Sequence, residues 1–314
     1  MYEKGERRMR ILVYGAGVLG GNLANSLYRQ GKDVTLLARG EWYEEIKRNG
    51  LSIHHYFGRK TNSKIPVINE LKPDDKYNVI FVVVRYTQLD SILPILKENA
   101  SKVIIFVGNN LKTREITSEL RGKNVLFAFA SSAGHREKTY IRSVALNRIT
   151  VGNIKGSLSG ERFVKKLFVG TRFKVTYEHN MTDWLLCHAA SVIPIAFACY
   201  YTDGNLRKVK NDKSYLNRVM DATIEAYRVL EDNGHEIMPE SDKDYNNPGF
   251  KKKYMPFYRL ICATKLGKLC TSDHAMNAID EMSELNKDFK KCLEKYGEIP
   301  KAWLNLERDT NGYL

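Results

Sequence analysis

Gly15, Gly17 and Gly20 fall in the spacing G-x-G-x-x-G, with Ala16, Val18 and Leu19 between them. A β-rich run, Arg10–Tyr14, leads into the motif, and a helix pattern over Gly17–Gln30 leaves it. That context suits a dinucleotide. The first glycine permits a tight turn, the second lets the backbone approach a pyrophosphate, and the third allows close helix–sheet packing. The helix start then offers unpaired N–H donors and the positive end of its dipole to phosphate oxygens. The end of the next strand selects the dinucleotide. An Asp or Glu there binds the ribose hydroxyls of NAD, whereas Asp33-Val-Thr-Leu-Leu-Ala38 delivers Arg39. Its guanidinium suits a 2′-phosphate through charge-assisted bonds. The competing reading makes Arg39 an ordinary surface arginine and lets Glu41 reach a ribose. The expected cofactor is NADP.

Two further strand ends carry polar groups, in Val84-Arg85-Tyr86-Thr-Gln88 and in Phe106-Val-Gly108-Asn109-Asn110. Ligands of an open α/β sheet sit beyond the carboxyl ends of its strands, which puts Arg85 and Asn109 in position by topology. Asn109 has two readings, a hydrogen bond to cofactor or substrate carbonyl, or a turn-forming amide. His54 and His55 are adjacent and point to opposite faces of a strand, a poor metal pair. No metal is expected. Neither a P-loop nor a G-x-S-x-G elbow is present.

The elements that must position these groups alternate through the first half. Strand signals lie at Arg10–Tyr14, Asp33–Ala38, Asn78–Val84, Lys102–Val107 and Asn124–Phe129, with helix-like stretches such as Gly17–Gln30 and Gln88–Asn99 between several of them. Val79–Val84 is apolar without alternation, as in a parallel strand covered on both faces. After a last β-like run at Arg172–Tyr177 the patterns turn helical. Tyr215, Val219, Ala222 and Ala226 recur after a candidate N-cap, Ser214, with Asn233-Gly234 as the stop. Ala275 to Phe289 mark one more helix after Thr271-Ser272. The expected fold class is α/β, an N-terminal Rossmann dinucleotide-binding domain over residues 1–179 followed by an all-helical domain over 180–314.

Composition narrows the partners. A chain of 314 residues suits about two domains, and a net charge of +14 favours small anionic ligands. Five cysteines without a C-x-x-C pair fit a reduced cytoplasmic chain with mostly buried thiols. The charged start, Met1 to Met9, lacks the apolar core of a signal peptide. Trp184–Tyr201 is of borderline length for a bilayer, but Ser191 and Pro194 favour a buried helix, so no membrane partner is expected. Lys251 to Lys253 with Tyr254, Phe257 and Tyr258 read as a solvated face beside core aromatics, and no nucleic acid is expected. A homodimer stays open.

The chain resembles the ketopantoate reductase (2-dehydropantoate 2-reductase) family along nearly its whole length. The resemblance rests on Gly15–Gly20, Leu36-Leu-Ala-Arg39, Arg85–Gln88, Asn109, Trp184 opening the helical domain, and Asp280-Glu281-Met. It implies a Rossmann domain joined to a helical one, and reduction of a 2-oxo acid by NADPH. It also implies cofactor contacts from Gly15, Gly17, Gly20, Arg39, Arg85, Asn109, Glu281 and a small-residue turn near Ala133-Gly134. One departure bears on the chemistry. Family members carry a Lys two residues after the Trp and Asn four and eight residues further on; those positions here hold Leu186, Ala190 and Pro194. The family's Asn-Gly after the fourth strand is Asn109-Asn110, a milder change.

Hydride transfer to a ketone still builds negative charge on oxygen, which a positioned acid must neutralise. His188 is the nearest titratable group, though two residues turn it about 200° around the helix from Leu186. A hydrogen-bonded histidine in an apolar helix is its other reading. Lys208 and Lys210 lie on the loop beyond. The expected catalytic set is His188, Asn109 and Glu281, in an NADPH-dependent reductase of a small 2-oxo acid or related carbonyl compound. Loss of the lysine and both amides leaves a non-catalytic NADP-binding module as the alternative.

Overall fold

The computed structural model describes residues 9–314 apart from Gly156, so most of the charged start lies outside the described residues. The chain forms two compact units, one of residues up to Gly108 together with Lys112–Met181, the other of Asn109–Leu111 with Thr182–Leu314. The strands are β1 (Arg10–Tyr14), β2 (Asp33–Leu37), β3 (Leu51–His55), β4 (Lys60–Ser63), β5 (Val67–Ile68), β6 (Val79–Val82), β7 (Val103–Val107), β8 (Asn124–Arg136), β9 (Ile141–Gly152) and β10 (Lys174–Glu178). Helices of the first unit are α1 (Val18–Arg29), α2 (Gly40–Asn49), α3 (Leu89–Glu98), α4 (Thr113–Glu119) and α5 (Leu158–Phe168).

The sheet runs β4-β3-β9-β8-β7-β6-β1-β2-β5, with β10 also paired to β9. Its middle is parallel: β2, β1, β6, β7 and β8 share one direction, so their carboxyl ends form a common edge. β6 is buried at every position, as its unbroken apolar run requires. The mixed α/β architecture with an N-terminal Rossmann-like sheet and a helical C-terminal part is as expected.

Several sequence expectations need correction. β8 does not stop at Phe129 but continues to Arg136, antiparallel to β9. Ala133 and Gly134 are therefore strand residues opposite Val144 and Ser143, not a turn. Gly134 has φ +148, and a Cβ there would lie 2.0 Å from the Arg142 carbonyl oxygen, so the close approach of the hairpin strands excludes any other residue. The β3–β4 hairpin was not foreseen either. β9 takes both on its far side, β3 along Ile141–Ser143 and β10 along Arg148–Gly152.

The second unit is helical: α6 (Met181–Tyr201), α7 (Lys213–Asp232), α8 (Phe250–Ala263), the single turn α9 (Lys265–Gly267), α10 (Asp273–Asn277), α11 (Ile279–Tyr296) and α12 (Lys301–Arg308). The cap of α7 is Asp212, whose Oδ1 accepts from the Tyr215 N–H at 2.9 Å, rather than Ser214. The stop at Gly234, φ +82, is as expected. The stretch Ala275–Phe289 is two helices, broken at Ala278 where φ reaches −137°. Among the described residues α6 alone is long and apolar enough to cross a membrane, yet 72% of its apolar window is buried within the protein. It is a core helix. Lys251 and Lys253 of α8 form ion pairs with Asp221 and Asp244, as a solvated face does.

Candidate active site

The turn from β1 to α1 is set by two steric requirements and one opening. Gly15 has φ +117, and a Cβ there would stand 2.1 Å from the Val83 carbonyl oxygen. A Cβ at Gly20 would stand 2.0 Å from the carbonyl oxygen of Gly15, so the first helical turn can lie against the loop only without one. Gly17 differs. A Cβ there would meet nothing within 4 Å, and the backbone has an ordinary φ of −71°. Gly17 is the N-cap of α1 and supplies no side-chain cap, and no acidic residue occupies the first turn. The N–H groups of Val18, Leu19 and Gly20 lack intrahelical acceptors, as at any helix start. Open space before uncapped donors is what a pyrophosphate requires.

Trp42 of α2 fixes this turn from the side, its Nε1–H donating to the Ala16 carbonyl at 2.7 Å. The Gly15 N–H also bonds the Leu37 carbonyl at 3.1 Å, tying the loop to β2. Arg39 leaves β2 at the same edge and is exposed. It donates from Nη2 to the Tyr14 hydroxyl, and its guanidinium carbon lies 5.5 Å from the Tyr14 ring centre. No carboxylate pairs with Arg39 among the described residues. Burial raises the Tyr14 pKa above the usual phenol value, against the opposing pull of Arg39, so the hydroxyl keeps its proton. Arg85 is presented by a turn after β6 that Gln88 closes, its Oε1 accepting from the Arg85 N–H at 3.2 Å. Gly15, Gly17, Gly20, Arg39 and Arg85 thus share the carboxyl edge of the parallel strands. Gly134 serves hairpin packing.

The remaining candidates belong to the helical unit. Asn109 carries a buried Oδ1 without a hydrogen-bond partner among the described residues, an acceptor removed from water. Such an atom costs roughly 1–3 kcal/mol unless a ligand donor satisfies it. On α6, Trp184 and His188 stack with ring centres 5.2 Å apart and planes 13° apart, the i, i+4 pairing of one helix face. Leu186 and Ala190, at the positions where the resemblance implies an acid and an amide, are 5% and 0% exposed and belong to the packed core. Burial, aided by His274, pushes the His188 pKa down to about 4. At neutral pH its ring is uncharged, a hydrogen-bond donor rather than a store of protons. Glu281 stands in the first turn of α11.

Lys208 lies 3.9 Å from Asp203 in an exposed turn. The start of α6 is anchored by a buried pair that sequence reasoning missed, Asp183 Oδ1 with His235 Nδ1 at 2.6 Å; His235 Nε2 meets the Tyr296 hydroxyl at 2.7 Å. Neither Trp42 nor this pair carries a local motif; only the nearness of Trp42 to Arg39 hinted at a role. Among the described residues no three His, Cys, Asp or Glu side chains gather as a metal site, and none of the five cysteines is in a disulfide.

Comparison with known proteins bears on the fold. Residues 11–156 match the family model described as ketopantoate reductase PanE/ApbA. The chain is similar to the 2-dehydropantoate 2-reductase of Archaeoglobus fulgidus, 23% identical over 244 residues, 76% of this chain and 77% of that one. Among solved structures, the 2-dehydropantoate 2-reductase from Geobacter metallireducens superposes with a TM-score of 0.79 at 15% identity, over 98% of this chain and 100% of that one. A D-mandelate dehydrogenase determined with NADH and anilino(oxo)acetate superposes with a TM-score of 0.77 at 14% identity, over 97% and 98%. These structural likenesses establish the fold.

Proposed function

Taking the chain as a divergent relative of the ketopantoate reductase family, we propose that it is an NADPH-dependent reductase of a small 2-oxo acid or related carbonyl compound, other than ketopantoate. The observation that carries this reading is the open face of Gly17 before the uncapped start of α1, at the same edge as an Arg39 that no carboxylate neutralises. When bound, the dinucleotide supplies the hydride for the carbonyl carbon. The N–H groups from Val18 to Gly20 hold its pyrophosphate, and Arg39 its 2′-phosphate. Arg85 adds positive charge for an anionic ligand. Asn109 Oδ1 accepts a hydrogen bond from cofactor or substrate. His188, uncharged at neutral pH, donates a hydrogen bond that polarises the carbonyl oxygen, as a neutral imidazole can. Glu281 completes the cofactor contacts. Five cysteines outside any disulfide fit a reducing, cytoplasmic setting.

The burial of Leu186 and Ala190 favours a second reading, an NADP-binding module without catalysis. A panel of 2-oxo acids with NADPH separates the two. The expected result is turnover of one of them, with ketopantoate slower by about 10²–10⁴-fold, the usual worth of a positioned acid. Tight NADPH binding with no oxidation across the panel would establish the non-catalytic module instead. In parallel, Arg39→Ala should weaken NADPH by at least about tenfold and spare NADH, read by fluorescence titration. Equal losses for both would remove the NADP assignment.

A further inference from the structure

We propose that Arg136, at the tip of the β8–β9 hairpin, is a second ligand of the 2′-phosphate and sets the preference for NADPH jointly with Arg39. The inference rests on the cofactor reading above and extends it to a residue remote in sequence.

The hairpin turns back over α1, where Asn22 Nδ2 donates to Ser132 Oγ at 2.6 Å and Ser143 Oγ donates to Asn22 Oδ1 at 2.9 Å. Its tip, closed by the Glu137 N–H on the Tyr140 carbonyl at 2.8 Å, thereby reaches the start of α2. There the Arg136 guanidinium carbon lies 5.5 Å from the centre of the Trp42 ring. The same indole bonds the Ala16 carbonyl through Nε1. One side chain therefore touches the glycine turn and carries a guanidinium on its face. Beside it is a hollow of about 310 Å³ lined by Glu41, Trp42, Arg136, Glu137 and Lys138. At roughly 30 Å³ per water, that is ample room for a phosphorylated ribose.

The lining of the hollow carries two cations, Arg136 and Lys138, and two carboxylates, Glu41 and Glu137. Glu137 is turned to His135 Nε2 at 3.2 Å. Glu41 sits in the first turn of α2, where the helix dipole stabilises it, two residues beyond Arg39. It remains suited to a ribose hydroxyl. Arg136 is exposed and has no carboxylate partner among the described residues, and neither has Lys138. A guanidinium resting on an aromatic face is already oriented, so less side-chain freedom is lost when it forms a bidentate bond to phosphate. Trp42 is the positioning residue of this arrangement.

The test is calorimetric titration of the full chain with 2′,5′-ADP, 5′-AMP, NADPH and NADH, for the unaltered protein, Arg136→Gln and Arg136→Lys. Arg136→Gln should weaken 2′,5′-ADP and NADPH about tenfold and leave 5′-AMP and NADH within about twofold, as loss of one charge-assisted contact predicts. Arg136→Lys should recover part of the loss. An unchanged thermal unfolding temperature would show that the fold is intact. No loss, or an equal loss for 5′-AMP, overturns the assignment of Arg136. An unaltered protein that does not prefer 2′,5′-ADP to 5′-AMP overturns the cofactor reading itself.

Discussion

The glycine turn of the first unit and the buried face of α6 in the second differ in what holds them. The turn is held by backbone geometry. Gly15 and Gly20 admit no Cβ, and a Cβ at Gly17 would point into open space. The α6 face is held by side-chain packing, with Leu186 and Ala190 buried in it, and by the Asp183–His235 pair at its start. A side chain at Gly15 or Gly20 would overlap backbone, so these two positions of the turn cannot change without strain. A row of side chains on a helix can be repacked one residue at a time, because apolar exchanges are tolerated in a core. The family model accordingly matches residues 11–156, which lie almost wholly in the first unit.

The largest effect that would break this contrast is in the glycines themselves. Gly15→Ala and Gly20→Ala should each cost about 2–4 kcal/mol, from backbone strain and overlap with a carbonyl oxygen, seen as a lower unfolding temperature. Gly17→Ala should leave that temperature unchanged and weaken dinucleotide binding, since its Cβ fills only the phosphate space. Equal melting of all three variants would mean that the turn is no more rigid than the helix face.

The next effect sharpens the packing side. The folded protein holds His188 near a pKa of about 4, against 6.5 for the free side chain, so the unfolded chain binds its proton more readily. Stability from this group is complete above pH 6.5 and falls as the pH drops towards 4, by about 2 kcal/mol after allowing for partial solvent contact. Urea unfolding at pH 7 and pH 5 should show the loss, and His188→Phe should flatten it. A slope that survives the substitution would assign acid sensitivity to other groups.

The smallest change is expected at Asn109. Its Oδ1 already lacks a partner, so Asn109→Ala should alter stability by less than about 0.5 kcal/mol while lowering turnover. A large stability loss with activity per folded molecule preserved would make it a turn residue only.

What could be read from the sequence follows the same division. β1, β6 and β7 were legible because strands buried on both faces are written in nearly unbroken apolar runs. The second half of β8 was not, because Ser131-Ser132-Ala133-Gly134 is polar and small, and pairs as a strand only once β9 lies beside it. The glycine motif and Arg39 were legible because their roles depend on neighbours within a few residues. Trp42 and Arg136 were not, since their positions arise from contacts between α2 and a hairpin far along the chain. The cap of α7 was missed for a smaller reason: Asp212 and Ser214 are equally good capping types two residues apart.

The return of β8 and β9 over α1 also orders events in time. Asn22 finds Ser132 across 110 residues and Ser143 across 121. A ribosome adding about 5–20 residues per second extrudes α1 on the order of 5–20 s before the strands that cover it. During that interval the buried side of the first helix made has no hairpin to close on. The first unit therefore exposes its glycine turn early and closes only once the segment up to Met181, more than half of the 314 residues, has followed.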